Sequence, residues 1–236
     1  MEALELARWQ FGVTTIYHFL FVPVTIGLAL SVAMMQTAWH RTKNPIYLRM
    51  TRFWGKLMLI SFAVGIVTGI VQEFQFGMNW SGYSRFVGDV FGAPLAMEAL
   101  AAFFVESTFI AIWIFGWGRI KPSLHLASIW LAAGAATLSA YFILAANSWM
   151  QNPVGFRLDE ATGRAEMTSI WAVLTNETTL YAFPHTILAA ISTAGAILVG
   201  VSALLILRKT DVEVFRPSLK IGLVVTLVGV LATMFV

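Results

Sequence analysis

Residues 94–117 read PLAMEALAAFFVESTFIAIWIFGW, an apolar stretch long enough to cross a lipid bilayer as one helix. Two carboxylates, Glu98 and Glu106, lie inside it. A charged side chain at this depth is costly, so it faces protein or water rather than lipid. Along a helix the two glutamates are about 12 Å apart, and they differ by about 80° around its axis. Both can therefore line one broad face, either as steps of a proton path or beside a charged cofactor.

The composition of the whole chain supports a membrane protein. Of its 236 residues, 58% are hydrophobic and 11% are charged, whereas soluble domains contain about 25% charged residues. The predicted fold class is all-α, a polytopic transmembrane helix bundle over residues 13–236 that follows an interfacial segment over residues 1–12. Pro94, Pro122 and Pro184 are predicted to mark helix starts. The six predicted spans are residues 13–37, 54–76, 94–117, 123–147, 180–207 and 219–236.

The distribution of charge predicts how the bundle is oriented. Most of the lysines and arginines lie in residues 40–56, 118–122 and 208–220, whereas most of the acids lie in the other connections. By the positive-inside rule the N-terminus is outside, and the first, third and fifth loops are cytoplasmic. This topology also explains the net charge of +3 without a nucleic-acid partner. The connection over residues 151–179 is predicted to be a solvated outer loop.

The chain contains no cysteine, which excludes thiolate metal sites, iron–sulfur clusters and thioether-attached haem. A metal would need histidine, methionine or carboxylate ligands. His18, in TTIYHFLFVPVTIG, and His185, in YAFPHTILAAISTAGA, both fall in the predicted outer half of the membrane. Each is either an axial haem ligand or a hydrogen-bond partner of a neighbouring helix, and the residues alone leave both interpretations open. His40 and His125 flank cytoplasmic loops and are assigned no role.

The burial of Glu98 and Glu106 is harder than that of the histidines to explain by helix packing alone. None of the six segments carries a lysine or arginine in its middle that could neutralise them. Ser107, next to Glu106, and Ser139, in the fourth segment, add hydroxyl groups that can hold a water chain, although such serines often bond to their own helix. Buried glutamate and histidine also fit a second hypothesis, a proton-coupled transporter, which would be colourless.

Four blocks of the sequence together resemble subunit I of the bacterial cytochrome bd-type quinol oxidases: RWQFGVTTIYHFLFVPVTIG, FWGKLMLISFAVGIVTG, VQEFQFGMNWSGYSRFVGDVFGAPLAMEALAAFFVESTF and AANSWMQNPVG. The resemblance runs from Arg8 to about Leu207. It implies an enzyme of the bacterial plasma membrane that oxidises quinol and reduces O2 to water with protons from the cytoplasm. It also implies a second large membrane subunit, sometimes with small accessory subunits.

The resemblance also implies cofactors and roles for individual residues. Subunit I of this family carries a low-spin haem b, a high-spin haem b and a haem d. By motif, His18 would be an axial ligand in the oxygen-reactive haem pair, and His185 would bind the low-spin haem b. Glu98 would lie at the haem pair as a ligand or proton donor. The proton path would comprise Glu106, Ser107 and Ser139.

The family pattern is longer than this chain. It has about nine helices, with an outer quinol-binding loop after the sixth and further haem ligands, a methionine and a glutamate, beyond that loop. The resemblance therefore predicts that these 236 residues are the front part of a longer protein. The residues that would distinguish ubiquinol from menaquinol lie outside them.

Overall fold

The computed structural model describes residues 2–236 and contains six helical spans that are long and apolar enough to cross a membrane. This confirms the predicted all-α bundle. The third span combines two α-helices and a π-helical segment, and the fourth and fifth spans are joined by a β-hairpin and a short helix. In chain order the helices are α1 Ala3–Thr42, α2 Pro45–Phe74, α3 Ser81–Met97, α4 Phe104–Phe115, α5 Pro122–Gln151, α6 Ile170–Leu174, α7 Glu177–Leu207 and α8 Val212–Thr233.

Several predicted helix starts are wrong because the helices extend beyond the hydrocarbon-length segments. The second and last spans, predicted to start at 54 and 219, begin at Pro45 and Val212. Hydropathy detects where a chain enters lipid, whereas a helix starts where its first N–H groups find a cap. At α2 the cap is Asn44, whose side chain accepts a hydrogen bond from the N–H of Ile46, with Pro45 in the first helical position.

The third span shows the largest difference. It begins at Ser81 rather than at residue 94, so Pro94 lies inside α3; Pro184 likewise lies inside α7. Only Pro122 of the three prolines begins a helix. At the other end of the chain, α1 runs unbroken from Ala3, so residues 3–12 form the first turns of the first spanning helix.

Helix α1 is the centre of the bundle. It packs against α2, α5 and α7, while α7 packs along α8 and α4 along α5. Gly27 brings α1 and α7 into close contact, because a Cβ atom there would lie 2.6 Å from the Cβ of Ala194 and would overlap the carbonyl oxygen of Ala190. Such small residues drive packing between membrane helices, where the hydrophobic effect contributes little.

A closed hydrogen-bond network links α1, α4 and α5 near the end predicted to be cytoplasmic. The indole Nε1 of Trp113 donates to Oε1 of Gln36 over 2.7 Å, and Nε2 of Gln36 donates to Nδ1 of His125 over 2.8 Å. His125 must therefore carry its proton on Nε2, which donates to the backbone carbonyl of Trp113 over 2.9 Å. His125, which the sequence left without a role, thus connects two neighbouring helices.

The connection over residues 151–179 is not wholly solvated, which corrects the prediction. An antiparallel hairpin, β1 Phe156–Asp159 and β2 Arg164–Met167, is followed by α6. Its Ala165 side chain is buried in a cluster with Val87 and Trp149. The carboxylate of Asp89 accepts a hydrogen bond from the N–H of Met167 over 2.7 Å, so the hairpin is anchored to α3.

We expect the substitution Gly27→Val to force α1 away from α7. Overpacking of this kind costs about 1–3 kcal/mol, so the thermal unfolding midpoint of the detergent-solubilised protein should fall. Gly134→Val is the matched control, because a Cβ atom at this position in α5 meets nothing within 4 Å. Equal midpoints for the two variants would contradict the assigned α1–α7 contact.

Candidate functional site

His18 lies on α1 against α2. Its Nδ1 is 3.0 Å from the hydroxyl oxygen of Thr68, and the edge of its ring faces Gly69, where a Cβ atom would lie 3.0 Å from Cε1. The histidine is half-buried, whereas Thr68 is 8% exposed. Within residues 2–236 the other ring nitrogen, Nε2, has no hydrogen-bond partner. One nitrogen is thus held by the protein, and the other keeps its capacity to bind a ligand.

Glu98 marks a change in the geometry of the third span. The α3 helix gives way at this residue to a π-helical segment, Glu98–Phe103, which continues into α4. Such π segments are rare and occur frequently at functional sites. The Glu98 carboxylate accepts a hydrogen bond from the hydroxyl of Ser139 on α5 over 2.6 Å. Two residues that the sequence placed in separate segments therefore meet.

Glu106 is buried in α4, with 7% of its surface exposed. It shares the inner face of α4 with Ile110 and Trp113, the other two buried residues of that helix. The ion pairs among residues 2–236 involve Arg49 and Arg157, so neither glutamate of the third span is neutralised by a lysine or arginine there. Glu98 lies close enough for the charges of the two carboxylates to interact.

The serine beside Glu106 is less directly involved. The hydroxyl of Ser107 donates to the backbone carbonyl of Phe104 over 3.1 Å, which is the backbone bonding common for serines in membrane helices. Of the two serines predicted for a proton path, only Ser139 contacts a carboxylate.

His185 lies on α7. Its side chain is exposed and lines a cavity of about 510 Å³, together with Glu177, Thr178, Tyr181 and Ala182. Within residues 2–236 the His185 ring is therefore accessible and is not held in helix packing.

The donor set within residues 2–236 constrains what can bind. No three or more histidine, aspartate and glutamate side chains cluster there as a metal site. A metal held by this region would therefore take one or two of its ligands here and the others from elsewhere. Haem iron fits, because the porphyrin fills four coordination positions and needs only axial donors such as a neutral imidazole. The unbonded Nε2 of His18 and the open side of His185 meet that requirement.

Comparison with known proteins identifies the family. A family model described as cytochrome bd terminal oxidase subunit I matches residues 6–236. The chain belongs to the cytochrome bd oxidase subunit I family.

Two curated relatives align with almost the whole chain. The chain is 54% identical over 227 residues to cytochrome bd ubiquinol oxidase subunit 1 of Bacillus subtilis. This alignment covers 96% of this chain and 48% of that protein. The chain is 47% identical over 233 residues to cytochrome bd-II ubiquinol oxidase subunit 1 of Escherichia coli, covering 99% and 45%. The chain thus spans about half the length of these curated relatives.

The fold also matches a solved member of the family. The structure of bd oxidase from Geobacillus thermodenitrificans superposes with a TM-score of 0.91 at 25% sequence identity, over 98% of this chain and 53% of that chain. The resemblance seen in the four sequence blocks is therefore confirmed, and it extends to the arrangement of all six spans.

We expect Ser139→Ala to leave the Glu98 carboxyl without its interhelical donor. An unsatisfied buried polar group costs about 1–3 kcal/mol, so thermal stability should fall, and the infrared carboxyl band that Glu98→Gln removes should shift. Ser128→Ala is the matched control, since the buried Ser128 hydroxyl donates only to a carbonyl of its own helix, that of His125. A carboxyl band unmoved by Ser139→Ala would contradict the contact.

Proposed function

We propose that this chain is the haem-binding part of a bacterial terminal quinol oxidase, which oxidises a membrane quinol and reduces O2 to water. The observation that carries the proposal is the family match over residues 6–236. The buried or half-buried positions of the glutamates and of His18, in matched motifs, support it.

In this proposal the histidines hold haem. His18 would bind in the oxygen-reactive pair, a high-spin haem b and a haem d, and His185 would bind a low-spin haem b. When bound, the haems supply electron transfer and the reduction of O2. The protein's own contribution is to orient each imidazole, which at His18 is supported by Thr68 and the close approach of Gly69.

The carboxylates would hold and move protons. Glu98, at the start of the π segment, would lie at the haem pair, and Glu106 would pass protons from the cytoplasmic side towards it. The absence of an ion-pair partner within residues 2–236 supports this role, because an unpaired carboxyl can exchange a proton without breaking a salt bridge. Ser139 would hold the Glu98 carboxyl in place. Ser107 would join the path only after its hydroxyl breaks the hydrogen bond to the backbone carbonyl of Phe104.

The proposal includes the rest of the enzyme. The site would lie in the bacterial plasma membrane, in a complex with a second large membrane subunit and small accessory subunits. Quinol and O2 would be the substrates.

A reduced-minus-oxidised visible spectrum of the full-length complex tests the proposed function. Bands of b-type haem together with a red-shifted chlorin band are expected, and His185→Ala should remove the low-spin b component. A colourless complex would overturn the oxidase proposal and favour a proton-coupled transporter. A normal low-spin band in the His185→Ala complex would reassign that ligand.

Glu106→Gln should slow oxygen reduction while leaving haem content nearly intact. The amide keeps the size of the side chain but cannot carry a proton, and loss of such a group typically costs about 10²-fold or more in rate. Oxygen consumption with excess quinol and the visible spectrum would be measured on the same preparation.

Glu160→Gln supplies the control for Glu106→Gln, since it makes the same change at an exposed residue of the hairpin turn. Normal turnover in the Glu106→Gln complex would remove this residue from the proton path.

A further inference from the structure

The hydroxyl of Thr68 is held in one orientation by its own helix. Its oxygen lies 3.0 Å from the carbonyl oxygen of Val64 and 3.0 Å from that of Gly65. We assign the hydroxyl hydrogen to one of these carbonyls, the bond to a preceding carbonyl that threonines in helices commonly make. The lone pairs of the oxygen are left free on the side that faces α1.

This orientation determines the tautomer of His18. Nδ1 lies 3.0 Å from the Thr68 oxygen, whose single hydrogen is already used. With the hydroxyl assigned in this way, Nδ1 is the donor and carries the ring proton. In the neutral imidazole the lone pair then lies on Nε2, the nitrogen without a partner within residues 2–236.

The position of the ring is fixed by the next residue of α2. A side chain at position 69 would press on Cε1 of His18, so Gly69 lets the imidazole lie against the helix backbone. Thr68 and Gly69 together hold the Nδ1 and Cε1 atoms of the ring against α2. The same two residues leave Nε2 free.

We propose that Thr68 is a positioning residue for His18, fixing the tautomer that presents Nε2 to haem iron and tuning that bond. This inference rests on the proposed function. A hydrogen bond accepted from the distal N–H of a metal-bound histidine makes the ligand more basic and fixes its orientation. A more basic ligand strengthens the iron–nitrogen bond and favours ferric over ferrous haem.

The test uses the full-length complex and two spectroscopic readouts besides turnover. In Thr68→Val the side chain keeps its shape but loses the acceptor. The iron–histidine stretching band in the resonance Raman spectrum of the ferrous enzyme should move to lower frequency. The reduction potential of the haem bound by His18 should rise. Thr68→Ser keeps the hydroxyl and should retain both values.

Thr25→Val is the matched control. Thr25 also joins α1 to α2, through a hydrogen bond of 2.9 Å between its hydroxyl and that of Ser61, but this pair lacks a histidine. The control removes one interhelical hydrogen bond from the same interface, so it should change stability without moving either haem readout. If Thr68→Val does not assemble, Thr68→Cys replaces it, since sulfur is only a weak acceptor and the same shifts are expected.

His18→Ala separates the two levels of the proposal. If it leaves every haem band in place, His18 is not a ligand and that part of the proposed function fails. If it removes a haem band while Thr68→Val leaves the stretching frequency and potential unchanged, the positioning role alone is overturned. Equal shifts in Thr68→Val and Thr25→Val would also overturn it, because they would report a loosened helix pair.

Discussion

Polar side chains within a bilayer have no water to bond, and this constraint organises the six-span bundle. Most of them find a partner that fixes how two helices meet. Gln36 and His125 connect α1, α4 and α5, and the indole of Trp54 donates to the hydroxyl of Ser218 over 3.0 Å, joining α2 to α8. In each of these hydrogen bonds a donor faces an acceptor on another helix at bonding distance. Rotation of either helix would therefore leave a buried donor or acceptor unpaired.

The residues of the candidate site keep bonding capacity that the protein does not use. His18 is bonded at one nitrogen only, and Glu106 is buried without an ion pair among the described residues. His125 is the useful contrast, because both of its nitrogens are bonded and its tautomer leaves no free lone pair for a metal. The two histidines are therefore suited to different tasks. His125 has no free nitrogen and joins helices, whereas His18 keeps one nitrogen free for a ligand.

The sequence predicted the features that depend on composition along one helix. Six apolar segments and two glutamates inside one of them are visible without knowing which helices touch. It could not predict the start of the third span at Ser81, because the outer turns of that helix are too polar to register as apolar. It also missed Thr68 and the role of His125, since their importance depends on the rotation of one helix against another. Ser139 could be named from the sequence as a hydroxyl that can hold a water chain, but its contact with Glu98 depends on how α5 packs against the third span.

The least covered helices carry much of the site. Only 17% of the most apolar window is buried in α2 and in the third span, against 50% in α1. Thr68 lies on the first of these, and Glu98 and Glu106 lie on the second, whereas α1 presents His18 from the centre of the bundle. Helix α1 thus supplies one donor from the centre of the bundle, next to Thr68 on α2, and the third span carries the two carboxylates.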